Sequence, residues 1–233
     1  SELLKGADAS TAAAAAAALG RIADTAAAKA LLRAADSASG ELRAVVADSC
    51  LACAGALRKQ GKPRKALAIY ERFYESRESS PVRGAALRGI VDMSGDEAGD
   101  VLVAALKGDD PAMHAVASQA VRELQSPNAV AAIAAELPNL PAAGQVQLLA
   151  ALADVSDAAA APAVLNAADS PEAEVRAAAL QALEHLGDAS TVVFLAERAA
   201  TAESKEAETA RASLNRLRAD GVDAAIVAAA VKE

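Results

Sequence analysis

The stretch Val175-Arg-Ala-Ala-Ala-Leu-Gln-Ala-Leu183 sets the frame in which the whole chain can be read. Its apolar residues recur at the three- and four-residue spacing of one helix face, and its alanines have the highest intrinsic helix propensity. Leu183 also has counterparts at a fixed step. Moving back 31 residues at a time reaches Leu152, Val121 and Ile90, and the same step forward reaches Leu214. Beyond Ile90 the step lengthens to 33, at Leu57, and then to 38, at Leu19.

Other offsets test this register. Twelve residues after each anchor stand Leu31, Ile69, Leu102, Ile133, Val164, Leu195 and Ile226, all aliphatic. Three residues after stand Ile22, Gln60, Met93, Leu124, Val155, Leu186 and Leu217, where only Gln60 is polar. Four residues before stand Ala15, Cys53, Ala86, Ala117, Leu148, Ala179 and Ala210, mostly small. Each period therefore predicts two helices. The offsets around the anchor share one face of a first helix, and the twelfth residue lies on the buried face of a second. Polar breaks fall between them at Asp24, Asp96, Ser126, Asp157, Asp188 and Asp220, residue types that cap the free N–H groups of a following helix. First helices open at Ser80-Pro81, Asp110-Pro111 and Ser170-Pro171. Short connections make successive helices antiparallel. One such pair cannot bury its apolar edge alone, whereas a stack of them can. The expected fold is all-α, an α-solenoid of about seven antiparallel helix pairs. The periods run over about 10–36, 37–78, 79–109, 110–139, 140–169, 170–201 and 202–233.

Composition agrees with thin helical layers. The hydrophobic fraction is 54%, much of it Ala, while aromatics make up 2% and Trp is absent. A rounded core of this size would use large aromatic side chains to fill its volume. The formal net charge of −8 argues against general binding to DNA or RNA, which requires a basic surface. No stretch reads as a membrane span or a signal peptide. The compartment stays open, since Cys50 and Cys53 are too few for a disulfide framework.

Pro171-Glu-Ala-Glu-Val-Arg-Ala-Ala-Ala-Leu-Gln-Ala-Leu-Glu-His-Leu-Gly-Asp188 resembles the bacterial HEAT-like repeat, also known as the phycobilisome-lyase-type HEAT repeat. Ser80-Pro-Val-Arg-Gly-Ala-Ala-Leu-Arg-Gly-Ile90, continuing to Gly95-Asp96, is similar to the same unit. The resemblance implies a right-handed, curved scaffold of the HEAT-like or armadillo type, used for protein–protein contact, with second helices on the concave face. It implies no shared catalytic residue. The second period departs from it. Ala54-Gly-Ala-Leu-Arg-Lys-Gln-Gly61 and Ala66-Leu-Ala-Ile-Tyr70 resemble a tetratricopeptide repeat, which shares the helix-pair architecture.

The ends read as cuts through a longer array. Glu2-Leu-Leu-Lys-Gly6 is similar to Ala104-Ala-Leu-Lys-Gly108 at the end of a second helix, and Val231-Lys-Glu233 follows the last helix without a polar cap. A single HEAT-like domain within a longer protein is the expectation, with other domains of that parent among its partners.

The second period carries the candidate binding site. Nine cations between Arg58 and Arg88 face three glutamates, and Tyr70, Phe73 and Tyr74 lie among them. Basic residues interleaved with aromatics make good interface anchors and can grip an acidic peptide or a phosphate. Lys65, Tyr70, Arg72 and Tyr74 are the candidate contact residues. The competing reading makes Phe73 core and lets Tyr70 and Tyr74 fill space.

Other constellations read as structural. Cys50 and Cys53 form a C-x-x-C inside a helix, away from the N-terminal position that activates a redox thiol. No second Cys or His pair completes a zinc site. His114 occupies a slot filled elsewhere by Arg83, Gln145 and Arg176, and His185 is expected to be exposed. Asp92, Asp96, Glu97, Asp100, Asp109 and Asp110 lack a calcium-loop spacing. The expectation is a non-catalytic, protein-binding scaffold with no cofactor and no metal. The rivals are a lyase-like or accessory enzyme module, nucleic-acid binding through the basic period, and a spacer between domains.

Overall fold

The computed structural model describes residues 9–201 and 204–230, and every regular element among them is a helix. The resemblance of residues 2–6 to a helix end, and the chain end at 231–233, lie outside the described residues. The helices fall into two compact units, one ending at Gly95 and the other beginning at Asp96. The division lies inside the third sequence period, between its two helices.

The first unit holds α1 (Ala9–Ile22), α2 (Thr25–Ser37), α3 (Gly40–Lys59), α4 (Pro63–Tyr74) and α5 (Ser80–Ser94). Helix α1 packs on α3, α3 on α4, and α4 on α5, while α2 covers α1 and α3. Leu31, Val46, Cys50, Cys53, Leu57, Ile69, Phe73 and Leu87 fill the interior. Here the sequence register needs a correction. Ile22 is 56% exposed, and Leu19 and Ala15 are only half-buried. The buried face of α1 is instead Ala12, Ala16, Gly20 and Ala23. The reason is proximity. A Cβ on Gly20 would stand 2.8 Å from the Ser49 carbonyl oxygen of α3, so only small residues fit between these helices. Reading for the largest aliphatic residues therefore slips the first period by one position.

The second unit holds α6 (Gly99–Lys107), α7 (Pro111–Val121), α8 (Pro127–Ala135), α9 (Ala142–Val155), α10 (Ala161–Ala167), α11 (Ala173–Leu186), α12 (Thr191–Ala200), α13 (Lys205–Arg216) and α14 (Val222–Ala230). Short 3-10 turns at Gly95–Ala98, Leu137–Asn139 and Ala158–Ala160 tighten three connections. The first helices pack in order, α7 on α9, α9 on α11, and α11 on α13. The second helices pack more heavily on the first helix that follows: α6 on α7, α10 on α11, α12 on α13. The residues twelve after each anchor behave as expected. Leu31, Ile69, Leu102, Ile133, Val164 and Leu195 are all buried, and Ile226 is half-buried.

Three of the six expected caps follow the sequence, and the exceptions are instructive. Asp24 accepts from the Ala27 backbone N–H at 2.6 Å, Asp157 from Ala159 at 2.9 Å and Asp188 from Ser190 at 2.8 Å. Asp96 does not cap its own helix. Its carboxylate accepts from the backbone N–H groups of Gln125 and Ser126, at 3.1 and 3.4 Å, and so joins two successive connections. Ser126 makes no side-chain cap bond, although Pro127 opens α8.

A recurring polar slot ties each first helix to the segment that leads into it. Arg83 Nε donates to the Tyr74 carbonyl at 3.2 Å. One period on, His114 Nε2 donates to the Gly108 carbonyl at 2.6 Å. Gln145 Nε2 then donates to the Leu140 carbonyl at 2.8 Å, and an Arg176 guanidinium nitrogen to the Ser170 and Pro171 carbonyls at 2.9 Å. Tyr74 and Gly108 lie at helix ends, where carbonyls have no intrahelical donor, and Leu140, Ser170 and Pro171 lie in the connections that lead into the next first helix. The start of a first helix thus lies beside the end of the preceding second helix. It follows that the C-terminal ends of first and second helices occupy opposite edges of each unit.

Ion pairs join neighbouring periods alternately at those two edges. At the second-helix ends stand Asp36 with Arg72, Lys107 with Glu136 at 3.6 Å, and Asp169 with Arg198. At the first-helix ends stand Arg58 with Asp92 at 3.7 Å, Arg122 with Asp154 at 2.6 Å, and Glu184 with Arg216 at 3.4 Å. Taken in chain order, the six clasps switch edge at each step. Their sign reverses at Lys107–Glu136 and at Glu184–Arg216. Each is partly exposed, so each contributes under about 1 kcal/mol. Together they favour one register between neighbours.

Candidate binding surface

The second helices of the first unit carry the densest group of exposed cations, and two side-chain contacts set their relation. Lys65 Nζ donates to Thr25 Oγ1 at 2.7 Å, joining the start of α4 to the start of α2. Arg72 pairs with Asp36 and also reaches the Leu32 carbonyl, joining their ends. Start meets start and end meets end, so α2 and α4 lie side by side and parallel. The residues of α2 on this side are Thr25, Lys29, Arg33 and Asp36, spaced for one helical stripe. Lys29 and Arg33 are exposed, and among the described residues neither has a hydrogen bond or an ion pair.

The four candidate contact residues separate accordingly. Lys65 and Arg72 lie at the surface, both tied to α2. Tyr74 is half-buried, and burial raises its phenol pKa above the ordinary value. Tyr70 belongs to the core. It is 7% exposed, and its ring lies where a Cβ on Gly89 of α5 would stand, 2.4 Å from the nearest ring carbon. Its hydroxyl comes within 3.5 Å of the corresponding point on Gly55 of α3. Two glycines on two helices make the slot that this ring fills, and burial raises its pKa as well. Phe73 is buried too. The space-filling reading thus describes Tyr70 and Phe73, and only Lys65, Arg72 and part of Tyr74 remain as contact candidates.

Sequence reasoning missed Lys29 and Arg33 because they belong to a different period from the basic cluster. A signal was present: they stand one turn apart on the polar side of an amphipathic helix. It lacked the knowledge that this side meets α4.

The remaining candidates take structural places. Cys50 and Cys53 are buried free thiols; burial pushes the Cys50 pKa up to about 12 and raises that of Cys53, so neither is a ready thiolate at neutral pH. His114 is buried against the Gly108 carbonyl, and His185 is exposed beside Glu184. Asp92 pairs with Arg58, and Asp96 holds the next connection. Among the described residues no group of three His, Cys, Asp or Glu side chains is placed to hold a metal, and no helix is long and apolar enough to cross a membrane.

Charge divides unevenly along the chain. Residues 1–95 carry fourteen Lys and Arg against ten Asp and Glu, a net of +4. Residues 96–233 carry nine against twenty-one, a net of −12.

No family model matches the chain, and no curated protein matches it. Among solved structures it is similar to a crystal structure described as an engineered protein from the Northeast Structural Genomics Consortium. The two share 20% identity at a TM-score of 0.44, over 98% of this chain and 70% of that one.

Proposed function

We propose that this chain is a right-handed α-solenoid of the HEAT-like type, with a second period of tetratricopeptide character, and that it acts as a non-catalytic scaffold. It binds a protein partner on the surface of its second helices. The observation that carries this reading is how the polar side chains are used. The slot residues Arg83 and His114 and the six alternating ion pairs join one period to the next, while Gln145 and Arg176 fix the connection that opens their own period. Polar groups arranged in this way hold a surface in shape instead of converging on a reacting atom. A preformed surface binds with little ordering cost.

The test is a selection of peptides from a random library, followed by hydrogen exchange of the complex. Added protection concentrated on α2 and α4 is expected. Protection confined to the first helices, or a library that yields no binder, overturns the reading.

A further inference from the structure

We infer that the cationic face shared by α2 and α4 takes an acidic peptide segment with a carboxylate at every second residue. The inference rests on the scaffold reading and adds the chemistry of the partner.

Lys65 and Arg72 contribute to this face from α4, and Lys29 and Arg33 from α2. The carboxylate on the facing stripes is Asp36, engaged with Arg72. Asp24 caps α2 through the Ala27 N–H. Glu71 and Glu75 lie on the outer stripe of α4 with Arg64, one position or more round the helix from Arg72. Lys29 and Arg33 thus present positive charge that no described group neutralises.

The spacing selects the pattern. Lys29 and Arg33 are separated by one helical turn, a rise of about 6 Å. Alternate residues of an extended strand are separated by about 6.5 Å. An extended segment along α2 therefore brings one carboxylate to each cation. Arg33 can take a carboxylate with two parallel hydrogen bonds. Between the cations Ala68 is exposed and Ala30 half-exposed, so a backbone can lie close to the helices.

Single-stranded nucleic acid fits less well. Its affinity for such surfaces draws on exposed aromatic faces for base stacking, and here Tyr70 and Phe73 are buried.

The experiment uses the full chain and three probes: an alternating glutamate–alanine decapeptide, a decapeptide with its five glutamates in one block, and a single-stranded oligonucleotide of equal charge. The alternating peptide is expected to bind most tightly, with affinity falling as salt rises. K29E with R33E should weaken it about tenfold and leave the thermal melt unchanged, because neither side chain has an internal partner. K205E with R211E, in the second unit, should leave binding intact. Equal affinity for the two peptides, tighter binding of the oligonucleotide, or indifference to K29E with R33E overturns the inference. Library peptides that still bind α2 and α4 in that case leave the scaffold reading standing. Loss of those as well removes both.

Discussion

The two units build the same alternation of helices from different materials. In the first, helices meet through small residues, with Gly20 against Ser49 and Gly89 under the Tyr70 ring. Two thiols and two aromatic side chains fill what remains. In the second, aliphatic side chains dominate: Leu148, Leu149, Leu152, Leu180, Leu183 and Leu195 are fully buried. The first unit has a surplus of positive charge and the second a large surplus of negative charge. A regular period of 31 rests mainly on branched aliphatic residues at fixed offsets, with one close approach at Gly144, where a Cβ would stand 2.4 Å from the Leu106 carbonyl oxygen. An irregular period, with the twenty-residue α3, needs fitted pairs of large and small residues. Regularity is therefore readable from one helix at a time, and fitted pairing is not.

Removing bulk from the regular unit should have the largest effect. Leu183→Ala leaves a cavity in a fully buried site and should cost about 2–5 kcal/mol, measured by denaturant unfolding. Hydrogen exchange should accelerate over α9, α11 and α13. The counterpart in the fitted unit adds bulk. Gly89→Ala places a methyl within the Tyr70 ring and should cost about 1–3 kcal/mol, despite the better helix propensity of Ala. Tyr70→Leu in the same chain should recover part of that loss, whereas a cost of the open-helix kind would not respond to it.

The clasps come next in size. Arg122→Asp should destabilise by under about 1 kcal/mol, and adding Asp154→Arg should restore most of it. The difference should shrink in about 1 M salt, where the screening length falls to about 3 Å. The smallest effect is one of pH. Glu206 accepts from Arg176 at 3.0 Å and from Arg198 at 2.9 Å. The Arg176 hydrogen bond, with help from Arg198, holds its carboxyl below the usual carboxylate range. Its stabilisation is present above the unfolded pKa and is lost as pH falls through the lower folded value. Glu206→Gln should therefore flatten the fall in melting temperature on the acid side of about pH 4.5. The melting curve of Leu183→Ala should keep that fall.

Much of this was legible in the residues, and the failures have physical causes. The twelfth-residue offset found the second-helix core because one aliphatic side chain per period must face inward whatever its neighbours are. The register of α1 slipped because contact with α3 is so close that size, not hydrophobicity, decides what is buried. Asp96 was read as a cap because its type and place fit one, yet its carboxylate reaches a connection 29 residues on, which no local pattern reports. The basic cluster was legible as composition. Its division into tied residues, buried rings and unpartnered Lys29 and Arg33 depended on which helix lies beside which. The polar slot at His114 was visible as a recurrence, and its purpose became clear only when the carbonyl it meets was known.

The alternating ion pairs bear on how the gene can change. Periods of similar sequence invite unequal recombination, and similar helices invite docking on the wrong copy during folding. Joining the second period directly to the seventh would set Arg58 against Arg216. Joining the first to the fourth would set Asp36 against Glu136. Many shortened arrays would thus bring like charges together at an edge, and others would leave each charge facing the wrong side. The signs along the two edges therefore record part of the order of the copies: joining the first period to the sixth or the second to the fifth keeps opposite charges together, and most other joins do not.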